Sequence, residues 1–281
     1  MDIISSVNNL KEIISNIKIK GKTTGFVPTM GALHKGHISL VKQAAADNNV
    51  VIASIFVNPT QFNDKNDLAN YPRMVDKDIS MLEPLKVDYI FTPSVSEMYP
   101  GTDNMSFDFG DVDKVLEGKH RPGHFNGVAQ IVYKFFTLIQ PDKAYFGEKD
   151  FQQLIIIKQL VQNYKLNIEI VPCTIIREPD GLAMSSRNLL LSSGQRKSAV
   201  LISETLNDSL NYVNKFSVDG LKEWVINNIN KDPQLDTEYF EIVNDVTLKT
   251  VNSWDDSGRK VGLIAVKVGK IRLIDNIRYN L

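Results

Sequence analysis

The sequence predicts an α/β protein, in which a doubly wound parallel sheet is followed by a smaller α+β domain. From residue 25 to about residue 171, short apolar segments typical of strands alternate with longer amphipathic segments typical of helices. Such alternation favours a parallel sheet with right-handed crossovers. After about residue 176 two helical segments precede three strand-like ones. We therefore predict two domains, 1–176 and 177–281.

The composition is that of an ordinary globular protein, and it excludes several classes of partner. Of 281 residues, 32 are Lys or Arg and 33 are Asp or Glu, so no net charge attracts nucleic acid or an anionic membrane. No apolar run approaches the length of a membrane span. The single cysteine, Cys173, excludes an internal disulfide and fits a reducing compartment. We expect a cytoplasmic protein without nucleic-acid or membrane partners.

The first twenty residues predict one amphipathic helix with Asp2 as its N-cap, because apolar residues recur at steps of four and three. These residues are Ile3, Val7, Leu10, Ile14 and Ile17. A secretory signal would need a continuous apolar block instead.

Five segments are predicted as parallel strands, at 25–27, 50–57, 88–91, 143–146 and 168–171. The second is a continuous run rich in β-branched residues, which is typical of a strand buried on both faces. Helices are predicted at 74–82, 128–139 and 154–161, whereas 94–125 should be irregular. In the second domain Ser192 and Gln195 predict a capping box, and Gly269-Lys270 a tight hairpin.

Two histidines mark the candidate site. His34 and His37 flank Gly36 where the first strand gives way to a helix. A helix N-terminus offers unpaired N–H donors and the positive end of a dipole, and imidazoles add donors for a phosphate. One alternative is that both histidines are ordinary polar residues at a helix start, but the loop, the glycine and the second histidine agree on one role. Zinc is the other alternative, but the H-E-x-x-H spacing and a nearby cysteine are both missing. We therefore predict an anion site and no metal site built from protein ligands.

Other polar segments follow strand ends, where ligands bind in open parallel sheets. They lie at 58–61 and 147–150, the latter with Lys149. Met184-Ser185-Ser186-Arg187 places two hydroxyls and a guanidinium in a loop, which suits phosphates. Taken alone, Lys149 fits an ordinary surface lysine at a helix start equally well, and the loop fits an ordinary solvated loop better. His120 and His124 flank Arg-Pro-Gly, so we expect both in a loop at the rim of the site.

Several motifs together resemble the pantothenate synthetase (pantoate–β-alanine ligase) family of the HxGH nucleotidylyltransferase superfamily. They are P-T-M-G-A-L-H-K-G-H, F-V-N-P-T-Q-F, Y-P-R, R-P-G-H-F-N-G-V, Y-F-G-E-K-D-x-Q-Q and D-G-L-A-M-S-S-R-N, spread over residues 22–196. The resemblance implies a Rossmann-like first domain, a second domain acting as a lid, and a homodimer. It also implies a two-step reaction in which ATP with Mg²⁺ adenylates pantoate and β-alanine then displaces AMP.

The resemblance further assigns residues. Catalytic roles fall on His37, His34, Lys149 and Arg187. ATP contacts fall on Met30, Gly31, Ala32, Leu33, His34, Lys35, Gly36 and His37, on Gly147, Glu148, Lys149 and Asp150, on the Ile176 main chain, and on Met184, Ser185, Ser186 and Arg187. Pantoate contacts fall on Gln61 and Gln153, and Gln61 also adjoins β-alanine. Gln130, His120 and His124 receive no role.

Two other functions share part of this pattern. A transferase that makes a dinucleotide would need His34 and His37 but neither Gln61 nor Gln153. A nucleotide sensor would bind ATP without exchanging pyrophosphate. A class I tRNA synthetase is excluded, because the chain is short and lacks a basic anticodon-binding domain.

Overall fold

Six parallel strands form the predicted sheet in the order β1-β4-β3-β2-β5-β6. Their bounds are β1 (Asp2–Ile4), β2 (Thr24–Thr29), β3 (Val50–Ile55), β4 (Tyr89–Phe91), β5 (Lys143–Gly147) and β6 (Glu169–Cys173). All six residues of β3 are buried, as its apolar run predicts. Since β2 and β3 pair along their whole lengths, from Thr24 with Val50 to Thr29 with Ile55, the loops that follow them start side by side.

The computed structural model describes residues 1–101 and 104–279. The last two residues of the predicted second domain, and residues 102 and 103 of the irregular stretch, lie outside the described residues. The chain divides into two units, Met1–Glu148 with Gln153–Thr174 and Lys149–Gln152 with Ile175–Leu281. The segment Lys149–Gln152 thus groups with the second unit, although the sequence analysis places it in the first domain.

The predicted N-terminal helix is wrong in its first turn. Residues Asp2–Ile4 form β1, which pairs with β4 at the sheet edge and adds a sixth strand to the five predicted. Helix α1 (Val7–Ile19) starts later, and the Ser6 side chain rather than Asp2 caps it by accepting from the Asn8 N–H. Ile3 points to solvent with 54% of its surface exposed. Sequence periodicity could not reveal this, because β1 is stabilised by a distant partner strand.

The remaining helices up to residue 174 belong to the first unit, except that Phe151 and Gln152 at the start of α8 group with the second unit. They are α2 (Lys35–Asp47), α3 (Lys65–Asn70), α4 (Val75–Leu82), α5 (Val95–Met98), α6 (Leu116–His120), α7 (His124–Ile139) and α8 (Phe151–Asn163). Helix α3 lies in a stretch for which no helix was predicted, and α5 and α6 interrupt the stretch predicted as irregular. These three helices have four to six residues each, too few for a hydrophobic period to show in the sequence.

The second unit is α+β, as predicted. It contains α9 (Ser193–Ser209), α10 (Val218–Ile229) and the antiparallel strands β7 (Leu235–Asn244), β8 (Lys260–Val268) and β9 (Ile271–Tyr279). The capping box is present, with Ser192 and Gln195 each accepting from the other's backbone N–H. The hairpin between β8 and β9 turns at Gly269, whose φ of 60° favours glycine. None of the helices in the described parts of the chain has the length and apolarity that membrane crossing requires.

Candidate active site

The loop between β2 and α2 is held in an unusual conformation by a buried carboxylate. Asp78, only 1% exposed, accepts hydrogen bonds from the backbone N–H groups of Ala32 at 2.9 Å and Leu33 at 2.7 Å. Ala32 has a φ of 50°, a left-handed conformation that costs a non-glycine residue roughly 1–2 kcal/mol. The two hydrogen bonds offset that cost. Burial raises the pKa of Asp78, and the same two bonds act in the opposite direction.

Glycine is required at the neighbouring position. Gly31 has a φ of 80°, and a Cβ placed there would lie 2.9 Å from Asp78 Oδ2. Its N–H is 3.2 Å from Thr29 Oγ1, which in turn donates to the Ser54 carbonyl at 2.6 Å. The loop therefore has one fixed backbone path, anchored on both β3 and α4.

Replacing Asp78 with asparagine should destabilise the protein by about 1–3 kcal/mol, because the new NH₂ group would face one of the two buried N–H donors. Urea unfolding followed by circular dichroism measures this loss. Asp76→Asn is the matched control, since Asp76 lies exposed on the same helix. Equal unfolding free energies for the two variants would show that Asp78 does not hold the loop.

The two motif histidines occupy the first turn of α2. His34 is the N-cap, and its Nδ1 accepts from the Gly36 N–H at 3.1 Å. His37 Nδ1 accepts from the His34 N–H at 3.3 Å, and the ring centroids are 4.1 Å apart. Because each Nδ1 accepts, each neutral ring carries its hydrogen on Nε2. The helix start thus presents two imidazole N–H donors, which suits an anion.

Gln61 lies beside this loop, at the end of a 3₁₀ turn (Pro59–Gln61) that follows β3. Its side chain is 9% exposed, and its Nε2 lies 2.9 Å from Met30 Sδ. Asn58 Nδ2 donates to Gln61 Oε1 at 3.3 Å and to the Gly127 carbonyl at 3.0 Å, while its Oδ1 accepts from Tyr99. Asn58 therefore sets the direction of the Gln61 carboxamide.

The expectation that His120 and His124 are loop residues is wrong. His120 ends α6 and is exposed, whereas His124 is the first residue of α7 and is 6% exposed. The Pro-Gly pair does interrupt the helical pattern, but it separates two helices, and Gly123 with a φ of 82° precedes α7 as its N-cap. Gln130, left without a role, donates to the Met105 carbonyl at 2.7 Å and so anchors the segment before α6.

Three other predicted residues of the first unit lie near the end of β5. Gly147 is its last residue and pairs with Cys173 of β6. Glu148 follows it, and Gln153 is the third residue of α8 with a half-buried side chain. The end of β5 therefore leads directly into residues assigned to ATP and to pantoate.

In the second unit, strand β9 anchors Lys149. The Lys149 carbonyl accepts from Asn276 Nδ2 at 3.2 Å, and the Lys149 side chain, 18% exposed, has its Nζ 4.0 Å from Asp150 Oδ1. The residue before Asn276, Asp275, is 4% exposed and forms a two-point ion pair with Arg177, with N–O distances of 2.6 and 3.0 Å. Asp275 Oδ1 also accepts from the Asn276 N–H at 2.8 Å.

The serine loop of the second unit is tied to the same strand. Arg177 donates to the Gly181 carbonyl, and the Met184 N–H donates to the Ile176 carbonyl at 3.0 Å, which closes a hairpin. Ser185 caps the 3₁₀ turn Ser186–Leu190 by accepting from the Arg187 N–H at 3.3 Å. Arg187 is half-buried. Through Asp275 and Asn276, β9 therefore supports both predicted ATP-binding segments of this unit.

Sequence reasoning missed Asp78, Asp275 and Asn276, and it gave Asn58 no role of its own although it singled out the segment 58–61. Asp78 could have been noticed from its position on the apolar side of α4, between Val75 and Leu82, because a buried carboxylate needs hydrogen-bond partners. Asn58 stood directly after a buried strand and before a proline, which is a common place for a polar turn residue. Nothing in the sequence singles out Asp275 or Asn276, because their partners lie about a hundred residues away.

Within residues 1–101 and 104–279, no group of three or more His, Cys, Asp or Glu side chains is arranged to hold a metal ion. No protein residue is therefore assigned to Mg²⁺.

A parallel, doubly wound sheet with two imidazoles at a helix start beyond its central strands defines an α/β protein with a candidate anion-binding site at the carboxyl ends of its strands. Comparison with known proteins narrows this class. The family model of pantoate-beta-alanine ligase matches residues 2–278. The chain belongs to the pantoate-beta-alanine ligase family, a family of enzymes.

Individual relatives match this chain over nearly their full length. Pantothenate synthetase of Bacteroides thetaiotaomicron is 51% identical over 279 residues, which cover 99% of each chain. The crystal structure of pantothenate synthetase from Thermus thermophilus superimposes with a TM-score of 0.93 at 37% identity, covering 100% of both chains. The ligase from Francisella tularensis, solved with beta-gamma ATP and beta-alanine, gives a TM-score of 0.84 at 38% identity and covers 99% of this chain and 98% of that one.

Proposed function

We propose that this protein condenses pantoate with β-alanine through a pantoyl-adenylate intermediate. A pantoate carboxylate oxygen attacks the α-phosphorus of ATP, and the bond from that phosphorus to the bridging oxygen breaks to release pyrophosphate. The neutral amine of β-alanine then attacks the acyl carbon, loses a proton and displaces AMP. The product of the second step is pantothenate.

The observation that carries this proposal is the contact between Gln61 and Met30, at 2.9 Å. It joins a residue assigned to pantoate with the loop assigned to ATP, at the ends of neighbouring strands. A carboxamide donates and accepts at once, which suits a ligand with a carboxylate and hydroxyls. Gln61 is uncharged, so it does not compete with the cationic groups for phosphate.

The charged and hydrogen-bonding groups fit the first step. Adenylation builds negative charge on a phosphate, which preorganised donors stabilise most strongly where water is excluded. The Nε2–H groups of His34 and His37 serve this purpose, and Lys149 and Arg187 add positive charge. The remaining ATP contacts are those that the family resemblance assigns, including the Ile176 main chain, whose carbonyl can accept a second hydrogen bond. In this proposal Mg²⁺ enters with ATP as part of the substrate.

Pyrophosphate exchange tests the proposal. With pantoate and MgATP but without β-alanine, the protein should incorporate labelled pyrophosphate into ATP, because the first step is reversible and needs no amine. AMP release should then require pantoate and β-alanine together. Exchange that needs β-alanine would rule out a free adenylate. ATP binding without any exchange would identify a nucleotide sensor, and exchange with a phosphorylated substrate only would identify a dinucleotide-forming transferase.

Substitution of Gln61 or Gln153 should lower the affinity for pantoate but not the affinity for ATP. Gln61→Leu and Gln153→Leu, which are near-isosteric, should each weaken pantoate binding by about 1–3 kcal/mol, because polar groups of the ligand lose their partners. ATP binding should stay nearly unchanged. Titration calorimetry with each ligand measures both, and Gln162→Leu, exposed on the same helix as Gln153, is the control. Equal losses for both ligands, or none, would mean that the pantoate pocket is placed wrongly.

We also propose a cytoplasmic homodimer. The balanced charge of 32 basic against 33 acidic residues does not oppose self-association. Light scattering at micromolar concentration should give twice the chain mass, and a strict monomer would contradict this.

A further inference from the structure

The buried histidine of α7 has two hydrogen-bond partners that demand one tautomer. His124 Nδ1 lies 2.8 Å from the Gln61 main-chain oxygen, and His124 Nε2 lies 3.0 Å from Arg121 NH1. A carbonyl oxygen only accepts, so Nδ1 carries the hydrogen. A guanidinium only donates, so Nε2 accepts. Both contacts fit a neutral ring protonated on Nδ1, the opposite tautomer from that of His34 and His37.

The first turn of α7 is packed directly against the turn that carries Gln61. The Gly127 carbonyl accepts from Asn58 Nδ2 at 3.0 Å, and a Cβ at Gly127 would lie 2.3 Å from the Thr60 carbonyl oxygen. Two points of α7 therefore fix the turn: Gly127 holds the Asn58 side chain, and His124 holds the Gln61 main chain. Asn58 in turn orients the Gln61 carboxamide, with 3.3 Å between Nδ2 and Oε1.

We propose that His124 is a positioning residue, which holds the Gln61 backbone so that the Gln61 carboxamide faces pantoate. This inference rests on the proposed role of Gln61. His124 reaches the main chain of Gln61 with its Nδ1–H and acts on substrate only through that residue. Its effect is therefore selective for pantoate over ATP, and it depends on the donor at the Nδ1 position.

Two substitutions of His124, by asparagine and by leucine, test whether the Nδ1–H donor is needed. Asparagine carries an amide nitrogen on Cγ, where imidazole carries Nδ1, whereas leucine has the same shape without the donor. His124→Leu should weaken pantoate binding about tenfold, the scale of one buried hydrogen bond, and leave ATP binding within about twofold. His124→Asn should restore pantoate binding to within about threefold of the unmodified protein. His120→Leu, at an exposed position just before the same Pro-Gly turn, is the control and should change neither.

A double-mutant cycle separates this inference from the proposed function. In a Gln61→Leu background, His124→Leu should weaken pantoate binding no further, because the group that it positions is gone. Additive losses, equal losses for ATP and pantoate, or an asparagine variant as weak as the leucine one would each overturn the inference. If Gln61→Leu alone leaves pantoate binding unchanged, Gln61 does not bind pantoate and the proposed role of His124 is wrong as well. If Gln61→Leu weakens pantoate binding and His124→Leu does not, Gln61 keeps its proposed role and the inference about His124 is wrong.

The unmodified protein provides a test that does not depend on variant folding. Long-range proton–nitrogen correlation spectra distinguish the two imidazole tautomers at neutral pH. His124 should show a protonated Nδ1 and an unprotonated Nε2, whereas His34 and His37 should show the reverse. A His124 ring protonated on Nε2 could not donate to Gln61 and would overturn the proposal.

Discussion

Replacing His37 with alanine is expected to slow pyrophosphate exchange by about a hundredfold or more, the scale of losing one charge-stabilising donor. His37 is the third residue of α2, and its Nδ1 accepts from the His34 N–H at 3.3 Å. The ring is thereby oriented with Nε2–H as its second polar group, at the positive end of the helix dipole. A donor fixed before the reaction needs no reorganisation as charge develops on the phosphate.

The design must separate catalysis from capping, since His37 Nδ1 also accepts from the backbone N–H of the N-cap residue His34. Loss of that contact should cost about 0.5–2 kcal/mol of stability, which thermal denaturation reports independently. His37→Asn keeps a short polar side chain that can accept from the N–H but does not reach as far as Nε2. It should recover stability without recovering the rate. Near-normal exchange in His37→Ala would remove the residue from the mechanism.

Replacing Lys149 with alanine should lower the exchange rate by a similar factor, about a hundredfold, with little change in stability. The Lys149 main chain is held by Asn276 at 3.2 Å, so truncating the side chain leaves the backbone in place. Its ammonium group lies 4.0 Å from Asp150, a distance at which a partly exposed pair contributes little to folding. The loss should therefore appear in the transition state for adenylation rather than in folding.

Two further variants sharpen this prediction. Lys158→Ala removes an exposed lysine from α8 and should leave the rate unchanged, which controls for net charge. Asn276→Ala keeps the Lys149 ammonium but removes the hydrogen bond that anchors its carbonyl, so it should lower the rate by less than Lys149→Ala. A Lys149→Ala variant that exchanges pyrophosphate at the rate of Lys158→Ala would show that the ammonium group is not used.

Elements whose pattern lies within one segment were predicted correctly. An element that is stabilised by a distant partner strand was not. The β3 run and the capping box at Ser192 are local patterns, and both are present. The strand at Asp2–Ile4 was mistaken for helix, since three residues follow either period and only pairing with β4 decides between them.

The sequence by itself determined the fold class and the family, and it predicted the segments on which the chemistry should fall. Alternating strand and helix patterns and the spacing of His34, Gly36 and His37 are properties of short stretches, so they can be read without coordinates. Only the tertiary structure decided how these segments are held. Asp78 supports the Ala32 turn from a helix 46 residues away, and His124 reaches Gln61 across 63 residues. A buried polar group must find a partner, but which partner it finds depends on where the fold brings the chain back.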